Sequence, residues 1–219
     1  MNSTIRKPWG HEYCAYRNAE VAIWVLEIRQ GEATSLHAHP RKNTALIVLR
    51  GTVELSFIRG EPLRLVGLDK INVFRGRFHR TRALTNDVVL LEVETPDAKL
   101  DIVRLADDYG RVGEQIESET TQMKEECLMI NSDGNDQVFA GCALRVITLG
   151  EEIGMFFTFV KRYALVGFDE QDVFVTLTGG LDHGLLPPGD AIDGESMGRL
   201  ARAFNPLPGS TFLQIQRLP

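Results

Sequence analysis

The sequence predicts a mostly β protein: a sandwich or barrel followed by a smaller β-rich module. Three observations carry this. The first hundred residues break into short runs rich in Val, Ile, Leu and Phe, each closed by Gly, Pro, Asn or Asp. No long stretch among them shows a helical period. The runs recur at the spacing of a sandwich or barrel and do not alternate with helices.

Residues 21–29 (VAIWVLEIR), 44–50 (TALIVLR), 52–58 (TVELSFI), 71–74 (INVF) and 87–95 read as strands. Gly31, Pro40, Gly51, Gly60, Gly67, Gly76 and Asn86 separate them as turn residues. Trp24 shares a strand face with Leu26 and Ile28, which is a core pattern. Residues 97–111 fit a short helix or a strand-like tail. Residues 112–126 hold five Glu and one Lys without apolar periodicity, so 106–126 reads as an acidic connector. The expected division is therefore 1–105, 106–126 and 127–219. In the last part, runs at 142–149, 155–160, 172–178 and 211–217 again look like strands. One helix is predicted over 195–204, with Met197, Leu200, Ala201 and Phe204 on one face. Asp193 or Ser196 caps its start, and Asn205-Pro206 stops it.

The chain has 219 residues and 43% hydrophobic content, enough to bury a core. Lys and Arg number 24 against 30 Asp and Glu, a net charge of −6. An acidic chain without a reading element is a poor binder of nucleic acid. No apolar run approaches the ~20 residues that span a bilayer, so no membrane partner is expected. The N-terminus MNSTIRKPWGHEY has no apolar signal region. Three cysteines without a CxxC pair fit a reducing cytoplasm and show no nucleophile–base pairing.

The chemistry concentrates in the histidines. There are five: His11, His37, His39, His79 and His183. In a strand, residues i and i+2 face the same side, so His37 and His39 present two imidazoles together. His79 supplies a third after the Gly76 turn. Three neutral imidazoles with open positions describe a metal site, suited to a divalent ion such as Zn, Fe, Mn or Ni. His183 reads as a loop residue.

At these residues the sequence resembles the cupin superfamily. Gly31, His37, His39 and Gly51 match the first cupin motif; Gly67, Gly76 and His79 match the second. The resemblance covers roughly residues 20–96 and implies a double-stranded β-helix, or jelly-roll, barrel. The second module is then a degenerate cupin without ligands, a cap on the first, or a pairing surface; barrels of this kind often form a homodimer. Lys7-Pro8-Trp9-Gly10 and the strand Leu90–Thr95 resemble stretches of type II phosphomannose isomerases. That implies a role in sugar-phosphate or surface-polysaccharide pathways.

One departure matters. Thr44 stands where cupins carry a glutamate ligand. The site is then a three-His site as in some dioxygenases, or Glu92 or Glu94 fills in, or metal binding is lost and a binding pocket remains. Glu92 is the expected catalytic carboxylate. Residues 37–82 carry ten basic side chains against three acidic ones, a local balance of +7. That favours a small anionic ligand, which the resemblance implies is a sugar, with one or two of Arg41, Lys42 and Arg77 as phosphate contacts. The reading is a metal-dependent, isomerase-like enzyme on a phosphorylated or nucleotide-linked sugar. An Fe(II) dioxygenase and a non-catalytic sugar-binding cupin are the alternatives.

Overall fold

The computed structural model describes residues 3–113, 120–148 and 169–219. They fall into two compact units, Met1–Met129 and Ile130–Pro219. The strand run expected at 155–160 lies outside the described residues.

The first unit opens with β1 (Ser3–Lys7) and β2 (Gly10–Arg17), joined by a tight Pro8-Trp9 turn. Its middle is eight strands: β3 (Ala22–Ile28), β4 (Leu36–Ala38), β5 (Asn43–Arg50), β6 (Thr52–Phe57), β7 (Leu63–Val66), β8 (Lys70–Val73), β9 (His79–Ala83) and β10 (Val88–Thr95). β11 (Val103–Ala106) and β12 (Thr120–Gln122) follow. One antiparallel sheet has the order β12-β1-β2-β3-β10-β5-β8, the other β11-β4-β9-β6-β7. Within them, β3-β10-β5-β8 and β4-β9-β6-β7 are the two four-stranded sheets of a jelly roll. The barrel is therefore a double-stranded β-helix, the architecture the histidine motifs implied.

The strands missed from sequence are short or polar. β9 reads HRTRA, and β4 has three residues. Residues 97–111 form no described helix; they give β11, which pairs with β4 at the edge of the second sheet. Thr120–Gln122, inside the expected connector, pairs with Ser3–Ile5 and extends the first sheet.

Alternation along β10 decides where the site sits. Val88 and Leu90 face the core between the sheets, packed with Trp24, Leu26, Ile28, Val48, Val53 and Ala83. Glu92 and Glu94 continue that same inward face by the period of two. The strand thus runs from an apolar plug to a polar end. Trp9 packs into the same core and is 4% exposed. Gly10 explains part of the Pro-Trp-Gly turn. A Cβ there would sit 1.9 Å from the Glu27 carbonyl oxygen on β3.

The second unit carries a sheet of order β13-β14-β17-β15-β16. Its strands are β13 (Gln137–Phe139), β14 (Cys142–Thr148), β15 (Val173–Thr178), β16 (Ala191–Asp193) and β17 (Thr211–Arg217). The helix α1 spans Gly194–Ala201, and Asp193 caps it by accepting from the Ser196 N–H at 2.7 Å. Its Met197 and Ala201 pack on Phe174, Leu181, Leu186 and Phe212. Among the described residues, no helix is long and apolar enough to cross a membrane.

Candidate metal centre

His37 on β4 and His79 on β9 are cross-strand partners. His39 follows β4 directly. The three ring centroids lie 4.5, 4.9 and 5.5 Å apart. One ligand nitrogen from each ring falls within 4.8 Å of the others. All three residues are buried. Among the described residues, no other cluster of this kind occurs.

The outer ring nitrogens are already committed. His37 Nδ1 bonds the Ser35 carbonyl at 2.8 Å, His39 Nδ1 the Asp101 carbonyl at 2.6 Å, and His79 Nδ1 the Arg77 carbonyl at 3.0 Å. A carbonyl only accepts, so each Nδ1 carries the proton and each Nε2 keeps a lone pair. That is the arrangement of metal-binding imidazoles, with the outer nitrogen fixing tautomer and ring angle. His39 Nε2 is buried without a hydrogen-bond partner. An orphaned lone pair in a three-imidazole cluster fits a metal ion.

Local backbone chemistry sets this geometry. Gly76, at φ 76°, donates its N–H to the His39 carbonyl at 2.8 Å. The space beside its Cα is open, so glycine is required there for its left-handed backbone and not for room. The turn of the second motif thereby clasps the end of the first.

Burial pushes all three histidines below their ordinary pKa, and the nearby Lys42 charge adds to it. His37 lies well below it, and His39 falls to about 4. They stay neutral and ready to ligate at neutral pH.

Glu92 projects into the same pocket. Its carboxylate lies 3.7 Å from His39 Nε2. Burial raises its pKa, but Lys99, Lys42 and the histidines outweigh that and hold it below the usual carboxylate range. Burial and the Glu92 charge push Glu94 the other way. Thr44 is buried directly across from Glu94, its hydroxyl without a partner. Two of the carboxylates that line the pocket thus come from β10, next to the strand where the motif carries its glutamate.

The basic residues divide. Lys42 is 1% exposed, and its ammonium bonds Glu94 at 2.5 Å. Arg41 and Arg77 are exposed, and the Arg77 guanidinium lies 3.9 Å over the Phe57 ring. Several pocket residues carried no sequence signal. Lys99 packs 3.8 Å from the Trp24 ring and bonds Glu12 at 2.7 Å. Arg104 lies opposite His37 on β11, and it lines the cavity together with Arg111, Lys99 and Glu12. His183 lies in a single turn of the second unit, away from any described cluster.

No protein-family model matches the sequence, and no curated protein matches it. Solved structures of similar fold include KdgF from Halomonas sp., at 17% identity and TM-score 0.41 over 45% of this chain and 90% of that one. The DMSP lyase DddQ from Ruegeria pomeroyi DSS-3 is similar at 22% identity and TM-score 0.40, over 43% of this chain and 50% of that one. The capsular polysaccharide assembling protein CapF from Staphylococcus aureus is similar at 15% identity and TM-score 0.43, over 49% of this chain and 35% of that one. The chain thus spans half or less of the length of the last two.

Proposed function

We propose that the first unit is a metal-dependent enzyme acting on a small phosphorylated or nucleotide-linked sugar, with isomerase-type proton transfer. The observation that carries this is the set of three buried imidazoles with Nδ1 committed and Nε2 free. His37, His39 and His79 would hold a divalent ion, which when bound supplies Lewis-acid polarisation of a hydroxy-carbonyl pair.

Glu92 is the base. It is ionised, buried and next to the ligand set, placed to take a proton from a carbon beside the carbonyl and to return it. Trp9, Leu26 and Ile102 line the pocket and keep bulk water from it. Lys42 and Arg104 orient the anionic group of the ligand, while Arg41 and Arg77 act as surface charges that steer it in.

The test is a thermal-shift screen of sugar phosphates and nucleotide sugars, with and without added metal. Binding to the native state raises the melting temperature. The reading predicts a shift that needs both sugar phosphate and metal. A metal shift without any sugar response would defeat the substrate assignment.

One observation favours a second reading. Thr44 removes the usual carboxylate ligand, leaving three neutral imidazoles as in an Fe(II) oxygenase. Oxygen uptake by the Fe(II)-loaded protein separates the two.

A further inference from the structure

We infer that Asp101 is a positioning residue of the metal centre, fixing the His39 imidazole from outside both histidine motifs. The inference rests on the metal reading above and extends it to a residue of the segment between β10 and β11.

Asp101 meets the His39 turn in two ways. Its backbone carbonyl accepts the His39 Nδ1–H at 2.6 Å. Its carboxylate Oδ2 accepts the Arg41 N–H at 2.7 Å and the Lys42 N–H at 3.0 Å. Its own N–H donates to the Ala98 carbonyl at 2.9 Å, which tightens the segment locally. The side chain holds the turn that follows His39, and that turn fixes where the Asp101 carbonyl lies. The carbonyl then sets the ring's tautomer and aims Nε2 into the pocket. Charge-assisted bonds from a carboxylate to backbone N–H groups are among the stronger ones available to a loop.

The clamp has a second consequence. Lys42 is the residue whose N–H it holds, and the Lys42 ammonium bonds Glu94. One side chain therefore orients a metal ligand and a buried ion pair at the two ends of the same turn. A backbone carbonyl cannot be mutated, but the carboxylate that pins it can.

The experiment uses the full chain with Asp101→Ala and Asp101→Asn, and Co(II) alone as the probe. Asparagine keeps an oxygen that can accept from both N–H groups; alanine does not. Outer partners of metal-binding histidines are commonly worth ~10–100-fold in metal affinity. D101A should lose that much Co(II) affinity and alter the visible Co(II) spectrum, while D101N stays close to wild type. Asp101→Ser serves in place of the alanine variant if that one does not fold. A wild-type affinity and spectrum in D101A overturns the inference, as does an equal loss in both variants. Histidine ¹⁵N shifts of the metal-free chains give an independent readout. Wild type and D101N should show His39 locked as the Nδ1–H tautomer, and D101A a mixture. If wild type binds no Co(II), the metal reading fails, and an unchanged His39 tautomer in D101A would separately defeat the positioning role.

Discussion

The Glu92 carboxylate and His39 Nε2 lie 3.7 Å apart in a buried pocket, Glu92 on β10 of one sheet and His39 just past β4 of the other. On the proposed reading, their proximity places a charged base beside a metal-ligating nitrogen. Glu92→Gln preserves the shape and removes the charge. The expected result is retained metal with turnover reduced by ~10²–10⁴-fold, the usual worth of a positioned acid–base group. Metal analysis and turnover of the best ligand from the screen check both halves.

Metal-free stability should depend on pH through the histidines. The unfolded chain takes up these protons near the ordinary value of 6.5, and folded His39 only near about 4. Between those values the unfolded state binds more protons, so stability rises with pH. The metal-free protein should weaken as pH falls from 6.5 toward 4. His39 alone contributes on the order of 3 kcal/mol to that loss. Denaturant titrations across the window measure it, and His39→Gln should flatten the slope.

Lys42 and Glu94 are a buried ion pair, 1% and 0% exposed. Breaking one side of such a pair commonly costs about 3–5 kcal/mol, because a buried charge is left behind. Lys42→Met should therefore destabilise strongly. Adding Glu94→Leu should recover much of the loss, since both charges are then gone. A double-mutant cycle in urea reads this directly.

Gly10→Ala should cost at least ~2 kcal/mol, because the new methyl meets the Glu27 carbonyl of a packed strand. Gly76→Ala tests a different cause, backbone φ with open space beside it. It should loosen the His39 carbonyl contact and lower metal affinity more than stability.

The barrel and its three histidines were legible because both rest on local rules. The period of two in a strand puts His37 and His39 together, and it puts Glu92 and Glu94 on one face of β10. Gly76 marked the turn that brings His79 across. The other wall of the pocket was not legible. Lys99, Asp101 and Arg104 are single polar residues in a stretch whose pattern fitted a helix or a strand equally. Their roles come from long-range pairing, such as Asp101 with His39 over 62 residues, which no local pattern encodes. The basic cluster of residues 37–82 was real in sequence but spread across faces. Lys42 turned inward to Glu94, while Arg41 and Arg77 stayed on the surface.

The most direct test is the metal content of protein purified without a metal-affinity step. The account predicts close to one divalent ion per chain, and loss of it in the His37→Ala/His79→Ala variant that still folds. Wild-type protein that takes up no divalent metal, or a double variant that keeps its metal, would contradict it.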